Sequence, residues 1–263
     1  MAKRHVLPTR AFGAEPGTPD VSTLAAWIAE HKGRLADIMT WRVDQSLAPQ
    51  AEASITMPCA GGTFYRDRIL SCLQGVTGRK ATGELHVDTP DIIEDAAGIV
   101  VRKKGAWCAM PAPHALGIRD EYYEDELEWN DAICSAYRTI MRAMRDTGVV
   151  GHVLITDSLV PAELASLAGK NVFYFHPSPD TRSLEQLLDR QWQVAVPADR
   201  LSRLFALKEE YTIRKVFIID ADAAAISLAR QHLDPDQIVC GGYNSRNEED
   251  YWKDLVARAV YES

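Results

Sequence analysis

The chain has 263 residues, 46% of them hydrophobic and 25% charged, and a formal net charge of −8. That acidity, with no basic cluster longer than Arg102-Lys103-Lys104, argues against nucleic acid as a partner. Five cysteines without a C-x-x-C pair argue against a disulfide framework and for a reducing cytoplasm, and no apolar run reaches membrane length or resembles a signal peptide.

Residues 1–20 hold three Pro and two Gly with little apolar content, and read as an extended N-terminal arm ahead of a single α/β domain over 21–263. From Ser22 a helical pattern runs through Leu24, Trp27, Ile28, Leu35, Ile38 and Met39, with Gly33 as its kink or stop. Residues 54–58 form a short strand. Cys59-Ala60-Gly61-Gly62-Thr63 follows, and Thr63 caps a helix carrying Phe64, Ile69, Leu70 and Leu73. Residues 84–88 alternate in strand fashion, and 91–95 suit one short helix. Residues 99–102 and 106–110 flank Lys103-Lys104-Gly105 as a β-hairpin with Gly105 at positive φ. After His114 a long helix covers 120–147 and stops at Gly148; its acidic start suits the helix dipole.

The second half keeps a steady beat. Apolar runs at 152–156, 172–176, 193–197, 216–220 and 237–241 start roughly twenty residues apart, as strands alternating with short helices do. Their unbroken Val, Ile and Phe content suits a parallel sheet covered on both faces. Asp180, Asp199 and Asp222 read as N-caps, and Ser245-Arg246-Asn247-Glu248 as a capping box opening the last helix. With the hairpin near 98–110 counted as one position, about eight strands follow an N-terminal helix, which predicts an α/β, (βα)8 barrel-like fold. The alternative is a doubly wound C-terminal parallel sheet plus an N-terminal α+β half, divided near 148–151.

In parallel α/β folds, ligands bind where the strands end. Gly61 and Gly62, and again Gly241 and Gly242, each follow a strand and precede a helix, so their backbone could cradle an anion with Asn244 and Arg246. Neither pair matches the P-loop or dinucleotide fingerprint. His86, Asp88, His176 and Asp220 are the candidate catalytic residues, for proton transfer or for holding a divalent metal. Cys59, Cys108, His114 and Cys240 form an alternative zinc or thiol set; Cys72 and Cys134 read as packing. Tyr243, Tyr251, Trp252 and Tyr261 offer a candidate homo-oligomer contact. These features lead to a cytoplasmic enzyme acting on a small phosphorylated or carboxylated metabolite, with no membrane or nucleic-acid partner. The other two readings are a non-catalytic α/β binding or regulatory protein and a zinc- or thiol-dependent transferase.

Overall fold

A computed structural model describes residues 3–31 and 35–262. Gly33, the expected kink, lies outside the described residues. The first half contains β1 (Arg4–Val6), β2 (Thr9–Ala14), α1 (Val21–Glu30), α2 (Ile38–Glu52), β3 (Cys59–Gly61), α3 (Arg66–Cys72), β4 (Leu73–Thr77), β5 (Lys80–Val87), α4 (Pro90–Arg102), β6 (Trp107–Pro111), β7 (Arg119–Asp120) and α5 (Glu126–Thr147). The second half contains β8 (His152–Ile155), α6 (Pro161–Leu167), β9 (Val172–Phe175), α7 (Thr181–Leu188), β10 (Gln193–Pro197), α8 (Leu201–Ala206), β11 (Lys215–Ile219), α9 (Ala223–Arg230), β12 (Ile238–Asn244), α10 (Tyr251–Arg258) and β13 (Val260–Glu262).

Parallel strands dominate. Two four-stranded sheets have the orders β10-β11-β12-β2 and β3-β6-β8-β9, and a parallel bridge between Arg10 and Met57 joins them. At that junction the Ala11 N–H donates to the Met57 carbonyl at 2.9 Å, and the Met57 N–H to the Thr9 carbonyl at 3.0 Å. Between β9 and β10 the described residues form no backbone ladder. There the Gln191 side chain accepts the Tyr174 N–H and donates to the Tyr174 carbonyl, both at 3.1 Å. A side-chain amide thus satisfies the free edge of β9. Phe12 of β2 packs on Phe173 and Phe175 of β9 and on Phe217 of β11, with ring centroids 5.3, 4.7 and 5.4 Å apart. Side chains from both sheets therefore fill one interior, and the fold is barrel-like although its ladder is open at one seam.

Several expectations are corrected. Residues 9–14 are no arm: all six are buried, and β2 pairs parallel with β12. Arg10, Gly13 and the flanking prolines disguised a short strand whose arginine is buried among rings. The same pairing rules out a separate doubly wound C-terminal sheet, because β12 takes the N-terminal strand as its neighbour while β8 and β9 join β6 and β3. The hairpin near 98–110 is absent as well. Ile92, Ala96 and Ile99 are buried along one face of α4, which begins on Pro90, and β6 pairs parallel with β3 and β8. Gly105 does take positive φ, at +83°, but in a helix-to-strand connection. The hairpin that exists is β4–β5, antiparallel, with Gly78 and Arg79 both at positive φ as a type I′ turn requires.

Caps explain most helix starts. The Asp180 and Asp222 side chains accept the N–H groups of Ser183 and Ala225, as expected. Asp199 does not cap; it sits in a 3-10 turn, and α8 begins with no side-chain cap. The long helix starts at Glu126 under Asp125, because Asp120 accepts the N–H groups of Tyr122, Tyr123 and Glu124 and holds a turn instead. Arg68 on α3 meets Asp37, Asp91 and Asp95 at 2.9, 3.3 and 2.8 Å, tying the starts of α2 and α4 together.

His152 on β8 is fully buried, with Nε2 3.0 Å from the Met141 carbonyl of α5 and Nδ1 without a partner. Burial lowers its pKa from 6.5 to about 3, so the folded protein holds the ring neutral. A histidine depressed in this way contributes stability above its unfolded pKa and loses it as pH falls toward the folded value. Urea unfolding between pH 7 and 3 is expected to show stability falling below pH 6.5, by roughly 3–5 kcal/mol from this group. The decline should be shallower in His152→Gln; an unchanged slope would show that other groups set the acid limit.

Candidate active site

The C-terminal ends of the parallel strands carry three polar groupings. The first surrounds Glu15, which follows β2. One carboxylate oxygen accepts the Tyr243 hydroxyl and the Thr63 N–H, each at 2.5 Å. Burial, and then the neighbouring Glu15 charge, push the Tyr243 hydroxyl well above its ordinary pKa. Gly61 and Gly62 make this possible. Gly61 has φ +80°, and a Cβ there would lie 2.3 Å from the Ala109 carbonyl; one on Gly62 would meet the Ala14 carbonyl at 2.2 Å and Glu15 Oε1 at 2.6 Å. The pair therefore serves close strand packing, and the N–H group it leads to is taken by the protein's own carboxylate.

The second grouping lies at the end of β12. Gly241 and Gly242 are inside this strand, not in a turn. A Cβ on Gly241 would meet Ile219 and Phe12 at 2.9 and 3.0 Å, and one on Gly242 the Tyr251 hydroxyl at 2.8 Å. The Tyr243 N–H, expected to be free for an anion, donates to Tyr251 Oη at 2.8 Å, and that hydroxyl donates to Asp220 at 2.6 Å. Asp220 turns the chain out of β11 at φ +51°. No capping box forms at Ser245: the Asn244 side chain accepts the Glu248 N–H and donates to its carbonyl, both at 2.9 Å, and α10 starts only at Tyr251. Asp220, Asn244 and Arg246 do share a cavity of about 340 Å³ with Tyr243, Tyr251 and Arg258. Neither His86 nor His176 lines it.

His86 and Asp88 are corrected outright. Both are exposed and belong to β5 and its end, on the antiparallel hairpin and outside the two four-stranded sheets, with the His86 ring 3.7 Å from Glu84. The alternation that suggested a barrel strand is that of a half-exposed hairpin. His176 does stand at a strand end, but it braces backbone: Nδ1 accepts the Ser178 N–H at 3.2 Å, and the ring bonds to the backbone of Asp157. Burial lowers its pKa. The cysteine set does not converge. Cys59 faces the barrel interior, whereas Cys108 and Cys240 pack in two separate clusters with the surrounding helices. Burial pushes the thiols of Cys59 and Cys240 up to about 12, so both are held as thiols at neutral pH. Among the described residues no group of three or more His, Cys, Asp or Glu is placed to hold a metal ion.

The third grouping takes His114 from that set and gives it other partners. The ring sits in the 3-10 turn after β6, where Pro113 opens the turn and Gly117 at φ +69° closes it. Its Nδ1 is 2.7 Å from Glu163 of α6, a side chain only 3% exposed. A carboxylate accepts, so Nδ1 carries a proton and donates, and Nε2 faces the end of β8. Nε2 lies 3.0 Å from Thr156 Oγ1 and 3.2 Å from Ser158 Oγ, both just past β8. Thr156 Oγ1 also accepts the Ser158 N–H at 3.1 Å and donates to the Ser158 carbonyl. The chemistry available is proton transfer at Nε2, with the imidazolium stabilised by a buried carboxylate. Glu163 and Ser158 escaped the sequence reading because no local spacing links them to His114; the one available sign was a histidine fixed by flanking prolines.

The chain matches no protein-family model and no curated protein. Solved structures do resemble it. A putative vitamin-B12 independent methionine synthase from Listeria monocytogenes is 16% identical at a TM-score of 0.63, with 96% of this chain and 94% of that one covered. A B12-independent methionine synthase from Shewanella sp. W3-18-1, in complex with selenomethionine, is 14% identical at 0.62, with 97% of both chains covered. A methyltransferase from Methanosarcina mazei is 10% identical at 0.58, with 97% and 93% covered. The likeness is one of fold.

Gly61→Ala tests the packing role of the first glycine pair. Positive φ and the Ala109 carbonyl both oppose a side chain there, so a loss of roughly 2 kcal/mol or more is expected in thermal or urea unfolding. A variant as stable as wild type would mean that the strands can separate without cost.

Proposed function

We propose that the protein is an enzyme acting on a small carboxylate-bearing metabolite at the C-terminal rim of its parallel strands, with His114 as the proton-transfer group and Glu163 orienting it. The observation that carries this reading is the 2.7 Å contact between His114 Nδ1 and a buried carboxylate, which presents Nε2 to exposed hydroxyl chemistry at a strand end. His176, by contrast, engages backbone rather than a buried carboxylate.

Arg66, the first residue of α3, is the candidate anion-binding group. Its Nε is buried without a hydrogen-bond partner, and its charge reaches the Tyr137 hydroxyl, where that of Glu163 is also felt. Tyr137 Oη in turn donates to the Pro111 carbonyl at 2.8 Å, three residues before His114. A guanidinium whose buried Nε lacks a partner suits a substrate carboxylate, which accepts paired N–H donors. Small-molecule chemistry fits the fold neighbours, which are described as methionine synthases and a methyltransferase, one of them in complex with selenomethionine.

Calorimetric titration with methionine and a panel of small mono- and dicarboxylates tests this reading. Binding by wild type, weakened about 10- to 100-fold in Arg66→Met, is expected from the loss of a charge-assisted contact. No binding across the panel, or equal binding by the variant, would overturn the assignment.

A further inference from the structure

We infer that Ser158 is a nucleophile, and that Ser158, His114 and Glu163 together hydrolyse a small ester or thioester. The inference rests on the reading of His114 as a proton-transfer group and adds the bond that forms.

Two hydroxyls face His114 Nε2, and their hydrogen bonds distinguish them. Thr156 is buried, and its Oγ1 receives the Ser158 N–H and contacts the Ser158 carbonyl, so it shapes the turn out of a substrate's reach. Ser158 Oγ lies 3.2 Å from His114 Nε2, closer than the 3.5 Å at which it donates to the Asp157 carboxylate. Ser158 is exposed while Glu163 is buried, so the relay runs from the interior to a hydroxyl that a substrate can reach. The order carboxylate, imidazole, hydroxyl, with contacts of 2.7 and 3.2 Å, is what activates a serine otherwise too weakly acidic to attack. His176 holds the same loop from the side of β9 through its bond to the Asp157 backbone, and Pro161 starts α6 directly behind it.

The reaction balances without a further reagent. Ser158 Oγ bonds to the acyl carbon while its proton passes to His114 Nε2. The tetrahedral intermediate collapses, the carbon–oxygen or carbon–sulfur bond breaks, and the leaving group takes the proton from Nε2. Water then attacks the acyl-serine, gives a proton to Nε2, and the acid departs as Ser158 Oγ recovers that proton. Glu163 remains a carboxylate throughout and acts as a positioning residue.

The test is labelling of the full-length protein with a fluorophosphonate, which a nucleophilic serine attacks with loss of fluoride, followed by peptide mapping. A single adduct at Ser158 is expected, with the labelling rate down about 100-fold or more in His114→Ala. Hydrolysis of p-nitrophenyl acetate should be lost in Ser158→Ala, with circular dichroism confirming the fold. Glu163→Gln should lower kcat more than KM and move the pH profile, which a purely structural role would not do. No adduct, or an adduct elsewhere with hydrolysis retained in Ser158→Ala, would overturn the inference. Ser158 labelling without carboxylate binding would leave it standing and remove the Arg66 assignment; Arg66-dependent binding without labelling would do the reverse.

Discussion

The ring of Phe12 sets the terms for the rest of the barrel. It contacts rings from two other strands, and the residues around it are small where it needs room. Gly241 on the neighbouring strand has none to spare: a single methyl there would touch Phe12 at 3.0 Å. Gly13 follows the same logic one residue later, at φ +110° and within 2.8 Å of where the Ala109 side chain would meet a methyl. Below the ring, the Arg10 guanidinium lies 4.5–5.0 Å from the centroids of Phe12, Trp107, Phe173 and Phe217. Four aromatic faces partly replace the water such a cation loses, and burial lowers its pKa only to about 10, so it stays charged at neutral pH. Cation and rings together fill an interior that the backbone ladder leaves open at one seam.

A filled interior confines chemistry to the rim. There, two of the three polar groupings are largely satisfied by the protein itself. Glu15 takes the Thr63 N–H and the Tyr243 hydroxyl, and Tyr251 takes the Tyr243 N–H while donating to Asp220. Groups whose hydrogen bonds are already made gain little from a ligand, since binding would exchange one partner for another. The His114 grouping differs, because its Nε2 faces an exposed hydroxyl. That asymmetry among the three is why the proposed chemistry is placed there.

The sequence was most legible where packing is periodic and local. The five apolar runs after residue 150 are strands, and Asp180 and Asp222 cap their helices, because buried parallel strands and N-caps leave marks within a few residues. It was least legible at β2, whose identity depends on rings more than a hundred and fifty residues away, and at α4, where a Val-rich end imitated a strand. Chemically, the glycine pairs were informative in an unexpected way: the first does lead to an N–H held by an anion, but the anion is Glu15. Among the expected catalytic residues only His176 and Asp220 reached strand ends of the parallel set. His86 misled because period-two alternation says nothing about which sheet a strand joins.

The fate of the cysteines fits the proposed hydroxyl nucleophile better than a thiol one. All five are buried, and those at strand ends are held as thiols by burial, far from the partially exposed, electropositive setting a reactive thiolate requires. An alcohol needs no such setting, because it reacts with its proton in transit and requires only a base of suitable basicity within hydrogen-bond reach. On the proposed reading His114 is that base, and the buried Glu163 carboxylate 2.7 Å from its Nδ1 stabilises the ring as it takes up a proton. Carboxylate and imidazole sit on elements following β8 and β6, two strands that are direct neighbours, so the geometry rests on the parallel ladder rather than on a mobile loop. The fold thus holds His114 and Glu163 on elements that follow neighbouring strands, and on the proposed reading leaves the exposed Ser158 to meet the substrate.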